Sequence, residues 1–160
     1  MKNKKSMENK LELNRRPAQK EDTEFAKQAH HRAYHDVVVK QFGEWNEEAQ
    51  DKFFESAWKG SGHEILSANG KPCGYFSMDE SEDLITLHEL VLLPEFQGQG
   101  IGSKILSEVI EMVKSKNIPA RLQVLKHNKA VELYRRLGFK QIGETETHFE
   151  MEYNPLESEK

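Results

Sequence analysis

The chain has 160 residues, close to the size of one ordinary domain, so we expect a single hydrophobic core. Its 27 acidic and 23 basic residues give a formal net charge of −4, which argues against a nucleic-acid partner, since such proteins carry a basic surplus. One cysteine excludes an internal disulfide and a cysteine-based zinc site. No apolar run approaches the roughly 20 residues of a membrane helix, and the basic N-terminal residues are not followed by the apolar segment of a secretory signal peptide. We therefore expect a soluble cytoplasmic protein with no membrane partner.

The two ends of the chain are polar. Residues 1–10 carry four lysines and predict a disordered basic tail. Residues 154–160 are polar around Pro155 and predict a frayed C-terminal tail. We therefore place a single domain at residues 11–153, and the sequence leaves its oligomeric state open between monomer and homodimer.

The first third of the domain predicts one strand and two helices. A short strand is expected at Leu11–Arg16, and a helix capped by Asp22 or Thr23 is expected to run to about Val38. Trp45–Lys59 predicts a second helix with an apolar stripe. Asn46 is its expected N-cap, and Gly60–Gly62 is expected to end it.

The remaining segments alternate strands with two helices. Asn69-Gly70 predicts a hairpin that joins strands His63–Ala68 and Gly74–Met78. The next elements are a strand at Leu84–Leu93, a helix at Ile101–Lys116, a strand at Arg121–Leu125, a short helix between Asn128 and Gly138, and a hairpin of Phe139–Gly143 with His148–Tyr153. The order β-α-α-β-β-β-α-β-α-β-β predicts a mixed α+β fold, in which hairpins give antiparallel pairs and the β-α-β crossover gives a parallel one.

A glycine-rich turn links the longest strand to the helix that follows. Gly98, Gly100 and Gly102 alternate there, and their missing side chains would let an anion approach the free N–H groups of the helix start. Such a turn predicts a phosphate-binding site. It is neither a dinucleotide fingerprint nor a P-loop, because Ser103 stands where both patterns require glycine.

Two motifs resemble one family. The pattern Gln97-x-x-Gly100-x-Gly102 after a strand that ends at Pro94 resembles motif A of the GNAT superfamily of acyl-CoA-dependent N-acyltransferases. The stretch 128–139 looks like its motif B, N-x-A-x-x-L-Y-x-x-x-G-F. The resemblance covers roughly residues 10–153. It implies a three-layer fold whose mostly antiparallel central sheet contains one parallel, splayed strand pair, with helices on both faces.

The resemblance also implies how acetyl-CoA would bind. Its thioester arm would enter the gap between the splayed strands, and its pantetheine would pair with the strand backbone around Leu90 and Leu92. The backbone N–H of Leu92 would face the thioester oxygen and stabilise the oxyanion. Asn128 and Tyr134 would also touch the cofactor. The pyrophosphate would lie on the backbone N–H groups of Gln97, Gly98, Gln99, Gly100, Ile101, Gly102 and Ser103.

The implied reaction transfers an acetyl group to a primary amine by direct attack in a ternary complex. The ammonium must lose a proton before attack, and the departing thiolate can take one up. Tyr134 matches the family's general acid. For the base, strand alternation puts His88 on the face of Leu92, so we prefer His88, with Glu89, solvent or another residue as alternatives. A bulge in this strand would exchange the two faces.

The amine acceptor stays open between a small molecule and a peptide. Candidate recognition residues, with ordinary packing or solvent exposure as the alternative, are Tyr34, His35, Phe42, Glu44 and Trp45. His31 and His35 could chelate a metal at helical spacing, but the pattern lacks further ligands and we expect no metal.

Three other functions compete with amine acetylation by a ternary complex. A covalent acyl-enzyme on Cys73 would need an activating base that the sequence does not show. A non-catalytic acyl-CoA-binding regulatory module and a binder of nucleotide phosphates would both use the glycine turn without transferring an acetyl group.

Overall fold

The chain is described by a computed structural model that covers residues 11–58 and 62–158. The described residues form seven strands: β1 Leu13–Pro17, β2 His63–Ala68, β3 Lys71–Glu80, β4 Ile85–Leu92, β5 Ala120–Leu125, β6 Lys140–Glu144 and β7 His148–Tyr153. They also form five helices: α1 Thr23–Phe42, α2 Glu47–Ala57, α3 Ile101–Lys116, α4 Ala130–Arg136 and α5 Pro155–Ser158. Short 3-10 turns lie at Lys20–Asp22 and Pro94–Phe96.

The predicted element order is confirmed, although α1 runs on to Phe42 rather than ending near Val38, and Asp22 at its start makes no capping side-chain hydrogen bond. In the turn between β2 and β3, Asn69 and Gly70 both have positive φ, 52° and 84°, as the hairpin turn requires. The side chain of Asn46 caps α2 by accepting from the N–H of Ala49 at 2.9 Å. Gly138 follows α4 with φ 108°. α2 ends at Ala57, earlier than the predicted stop at Gly60–Gly62, of which residues 60 and 61 lie outside the described residues.

The strands form one sheet in the order β1-β2-β3-β4-β5-β7-β6. All neighbouring pairs are antiparallel except β4 and β5, which are parallel. That pair is short: it begins at Ile85 opposite Ala120 and ends at Leu87 opposite Leu122. Beyond Leu87 the two strands separate, which is the predicted splay.

The two faces of the sheet bury separate cores. One core packs α3 and α4 against the sheet, with Ile105 and Leu106 fully buried at its centre. The other packs α1 and α2 on the opposite face, around Phe54 and Tyr75. The predicted three-layer α+β arrangement, with helices on both faces of a mostly antiparallel sheet, is confirmed.

Two further observations concern the ends and the helices. Residues 155–158, expected to be a frayed end, form one helical turn. Within residues 11–58 and 62–158, no helix combines the length and the apolar character that crossing a membrane requires.

Candidate active site

The glycine turn leads into the N-terminus of α3. Gly98 and Gly100 have φ values of 74° and 86°, and an added Cβ at either position would meet open space. The first helical hydrogen bond runs from the N–H of Lys104 to the carbonyl of Gly100 at 3.0 Å. The N–H groups of residues 101–103 therefore have no helical acceptor, and they point outward at the positive end of the helix dipole. This geometry suits an anion.

Two members of the predicted phosphate site have other roles. The N–H of Gln97 bonds to the carbonyl of Pro94 at 3.2 Å, and its side chain donates to the carbonyl of Leu92 at 2.9 Å, so Gln97 holds the turn together. A Cβ on Gly102 would lie 3.2 Å from the side chain of Leu133, so this glycine allows α3 and α4 to pack closely. The open part of the turn is thus centred on Gly98 and Gly100.

The free edge of β4 lies beside this turn. The N–H of Leu93 bonds to the carbonyl of Cys73 on β3 at 2.9 Å. Because successive N–H groups of a strand point in opposite directions, the N–H groups of Leu92 and Leu90 point away from β3, into the gap beside β5. A ligand in the gap would find backbone donors there.

A cavity of about 1140 Å³ runs through this gap. It exceeds the roughly 300–1,000 Å³ of most small-molecule sites, which leaves room for two substrates. Residues of both sheet faces line it, among them His30, Tyr34, Phe42, Phe53, Glu89, Leu90, Leu92, Gln97, Gly98, Gly100, Gly102, Ser103, Asn128 and Tyr134. The cavity therefore joins the glycine turn to the face covered by α1 and α2.

Tyr134 and Asn128 lie on this cavity as expected. The Tyr134 side chain packs edge-on against Phe139, and its hydroxyl makes no hydrogen bond to any residue that the structure describes. Burial raises the pKa of Tyr134 to about 12, so the phenol keeps its proton. Asn128 accepts from the N–H of Ala130 at 2.9 Å and so starts α4, which agrees with its reading as a cap.

The expectation that His88 shares the face of Leu92 is wrong. Ser77 pairs with Glu89 and Met78 pairs with Leu87, so His88 has no partner on β3 and forms a bulge. The extra residue reverses the alternation. The His88 side chain is 47% exposed and lies 2.7 Å from Asp79.

Glu89, in contrast, is turned inward on the face of α1. Its side chain is 16% exposed, and it accepts a hydrogen bond from the hydroxyl of Tyr75 at 3.0 Å. His63 Nε2 lies 3.8 Å from its other oxygen. Burial raises the pKa of Tyr34 and of Tyr75, and the carboxylate of Glu89 adds to both shifts. The carboxylate of Glu89 is therefore largely buried in the cavity wall, with Tyr75 and His63 as its neighbours.

Comparison with known proteins agrees with this geometry. Residues 22–156 match the model of the Acetyltransferase (GNAT) domain. The chain belongs to the GNAT acetyltransferase family. Thialysine N-epsilon-acetyltransferase of Bos taurus is 41% identical over 95 residues, which are 52% of this chain and 56% of the bovine protein. A [ribosomal protein bS18]-alanine N-acetyltransferase of Haemophilus influenzae is 31% identical over 78 residues, 48% of this chain and 53% of that protein. The chain thus spans about half the length of these relatives.

Among solved structures, the PaiA N-acetyltransferase of Thermoplasma acidophilum in complex with coenzyme A has the same fold. It superposes with a TM-score of 0.72 at 21% identity, over 89% of this chain and 99% of that chain. The predicted membership of the GNAT superfamily is confirmed by the family match.

In this GNAT domain two side-chain networks hold α1 across the split sheet. Arg32 makes a two-pronged ion pair with Glu95, at 2.7 and 3.1 Å, next to the end of β4. Farther along α1, Gln41 donates to the carbonyl of Thr147 at 2.8 Å and accepts from the N–H of His127 at 3.1 Å. These contacts fix the helix that covers the Glu89 end of the cavity.

The acceptor candidates divide into two groups. Tyr34 and Phe42 line the cavity, whereas His35, Glu44 and Trp45 are absent from its wall. His30 and Phe53 also line the cavity, although neither was predicted as an acceptor residue. His30 could have been found, because it lies four residues after the buried Ala26 and four before Tyr34, on one face of a helix.

The structure bears on two alternatives from the sequence, a covalent acyl-enzyme on Cys73 and a metal site at His31 and His35. Cys73 is fully buried, and burial raises its pKa to about 11, so the thiolate that a covalent mechanism needs is disfavoured. The expectation that no further ligands join His31 is wrong, because ligand atoms of His31, Glu47 and Asp51 lie within 4.8 Å of one another. His35 is not part of this cluster, and its Nδ1 lies 3.0 Å from Asp36. The expectation that the protein needs no metal stays a prediction.

Proposed function

We propose that the protein is an N-acetyltransferase that transfers the acetyl group of acetyl-CoA to a primary amine by direct attack in a ternary complex. The observation that carries this proposal is the single cavity that joins the open glycine turn to Glu89 through the split between β4 and β5. A binder of nucleotide phosphates would need the turn alone. The through-running cavity, with ionisable groups on both sides of the gap, suits a reaction between two substrates.

The residues fit acetyl-CoA, which would supply the thioester. Gly98 and Gly100 leave the turn open, and the N–H groups of residues 101–103 would bind the pyrophosphate. The free edge of β4 at Leu90 and Leu92 would pair with the pantetheine arm. The N–H of Leu92 would donate to the thioester oxygen as negative charge develops on it, an effect typically worth about 3–4 kcal/mol.

Two side chains would move the protons. Glu89 would take one proton from the ammonium, directly or through a water molecule, which frees the nitrogen lone pair for attack on the thioester carbon. As the nitrogen–carbon bond forms and the carbon–sulfur bond breaks, Tyr134 would donate its phenolic proton to the departing thiolate. The nitrogen would lose its second proton on becoming an amide, and that proton would return to the phenolate through water. Because the pKa of Tyr134 is about 12, this proton transfer is favoured only while the thiolate is poorly solvated, as it would be when both substrates fill the cavity and exclude water.

The walls of the acceptor end support an aliphatic amine. Phe42 and Phe53 line the cavity and are 52% and 63% exposed, so they form an apolar mouth. Glu89 lies deeper and would attract the ammonium. A primary amine at the end of an aliphatic chain fits this arrangement, and the bovine relative is named a thialysine N-epsilon-acetyltransferase.

A spectrophotometric assay of free CoA thiol tests the proposal. The purified protein is given acetyl-CoA with thialysine, lysine, spermidine, simple alkylamines or a peptide with N-terminal alanine. We expect amine-dependent thiol release, fastest with thialysine or an alkylamine. If acetyl-CoA binds by calorimetry and no amine accelerates thiol release, the non-catalytic acyl-CoA-binding module is the correct function.

A further inference from the structure

Three side chains form a hydrogen-bonded chain from the surface to the acceptor end of the cavity. Asp51 of α2 lies 2.6 Å from Nε2 of His31, and Nδ1 of His31 lies 2.9 Å from Nδ1 of His30. His30 is 7% exposed and lines the cavity. Its Nε2 makes no hydrogen bond to the residues that the structure describes, so this atom is left for a ligand.

The chain of contacts determines which nitrogen of each ring carries a proton. A carboxylate only accepts hydrogen bonds, so Nε2 of His31 must donate to Asp51. In neutral His31 the other nitrogen, Nδ1, is then an acceptor, and Nδ1 of His30 must donate to it. His30 is neutral too, and its Nε2 therefore carries a free lone pair.

We propose that His30 Nε2 accepts a hydrogen bond from the amine substrate, and that His31 and Asp51 are positioning residues that hold His30 in this tautomer. The inference rests on the proposed function. A neutral primary amine has two N–H groups and one lone pair. Once the third proton has left, rotation about the carbon–nitrogen bond would let Glu89 and His30 accept from the two remaining N–H groups. The lone pair would then point away from both, toward the gap where the thioester would lie.

The surroundings of His30 keep it neutral. Burial lowers its pKa to about 4; Glu89 opposes that shift and His31 adds to it. The His30 ring packs against Tyr34 and Phe54, at centroid distances of 4.9 and 5.7 Å. A neutral acceptor binds the amine and does not repel the ammonium that enters the cavity.

Protonation of His31 would exchange the donor and the acceptor in its hydrogen bond to His30. Both nitrogens of an imidazolium donate, so Nδ1 of His30 would accept and its Nε2 would carry the proton, which turns a donor toward the amine. The groups that face His31 are His30 on its own helix and, on α2, Asp51 and Glu47, the latter at 3.7 Å. Lys27 also contacts Asp51, at 3.5 Å, and the Trp45 ring packs on His31.

Nitrogen NMR tests the tautomer without requiring turnover. In a long-range ¹⁵N–¹H spectrum of the ligand-free protein at pH 8, we expect His30 to show a protonated Nδ1 and an unprotonated Nε2. Assignment uses the loss of signals in His30→Phe. A protonated Nε2 on His30 at this pH would overturn the proposal, whether or not any amine is acetylated.

Kinetics of matched variants test the role in the reaction. His31→Asn keeps an amide oxygen near the Nδ1 position, whereas His31→Gln places its amide near the Nε2 position. We expect His31→Gln and His30→Phe to lose roughly tenfold or more in kcat/KM for the amine, with CoA affinity unchanged, and His31→Asn to stay within about threefold of the wild type. His35→Gln, on the same helix and off the cavity wall, is the control. Equal losses in His31→Asn and His31→Gln, or none in His30→Phe, would contradict the proposal.

A failure of this inference is distinguishable from a failure of the proposed function. If the wild type releases no CoA thiol with any amine, the proposed function fails, and the NMR spectrum still decides the tautomer. If the wild type is active and His30→Phe equals it, the proposed function stands and the role of His30 is wrong.

Discussion

The two ends of the cavity recognise their ligands by different means. The cofactor end, which consists of the glycine turn, the free edge of β4 and the start of α3, offers backbone N–H groups. The acceptor end, which consists of Glu89 and the facing residues of α1 and α2, offers side chains. Backbone recognition needs a particular spacing of glycines and a helix start, which a short motif encodes. Side-chain recognition depends on residues that only packing brings together.

The largest expected effect comes from Glu89→Gln at the acceptor end. Loss of the carboxylate removes the proton acceptor but preserves the size of the side chain and a hydrogen-bond acceptor for Tyr75. We expect kcat to fall by about a hundredfold or more with CoA affinity unchanged, as measured by thiol release and calorimetry.

His88→Gln is the matched control on the neighbouring residue. The bulged His88 is exposed and pairs with Asp79, so we expect a change in kcat of less than about twofold. If His88→Gln were the more damaging substitution, the choice of Glu89 as base would be wrong.

Next in size is a pH effect on stability from His30, again at the acceptor end. Its folded pKa of about 4 lies below the usual value of 6.5, so between these pH values the unfolded chain binds a proton that the folded protein does not. The free energy of unfolding should therefore fall as the pH drops from about 6.5 to about 4, by no more than about 3 kcal/mol, and then level off.

Urea unfolding at several pH values measures this dependence. The comparison is with His30→Phe, which lacks the titrating imidazole. This variant should lose the contribution of His30 to the pH dependence of the free energy of unfolding and keep the contributions of other groups, such as His148. Parallel curves for the two proteins across this pH range would show that burial does not hold His30 neutral.

At the cofactor end, Gly100→Val should weaken binding of CoA by at least about tenfold. A valine at φ 86° costs about 1–2 kcal/mol, and relief of that strain would turn the N–H groups of the turn away from the phosphates. Isothermal calorimetry with CoA measures the effect. Gly70→Val is the control, since it imposes similar strain at φ 84° in a hairpin turn that does not line the cavity, and it should leave CoA affinity unchanged.

The smallest of these effects is expected for Tyr134→Phe. The ring still packs on Phe139, so stability and CoA affinity should change little, but the departing thiolate loses its proton donor. We expect kcat to fall by roughly tenfold, because water can replace part of this function. Pre-steady-state measurement of thiol release checks it, and an unchanged rate would remove Tyr134 as the acid.

Much of the fold was predictable because its signals are local. Helical periodicity predicted α3 with its observed ends, and Asn69-Gly70 predicted the hairpin between β2 and β3. The motif resemblance predicted the splayed parallel pair. The faces of β4 were not predictable, since the bulge at His88 arises from the register with β3, a contact between strands.

The sequence by itself determined the order of the elements, the glycine turn and the place of Tyr134, because each depends on residues close together in the chain. The tertiary structure alone decided that Glu89 is turned inward against Tyr75, whereas His88, which also lines the cavity, is exposed and pairs with Asp79. It also decided that Gly102 serves helix packing and that His30 joins the acceptor end through His31 and Asp51. The physical reason is the same in each case: the neighbours that orient these groups lie on other elements, so their effect appears only when the sheet and its helices pack.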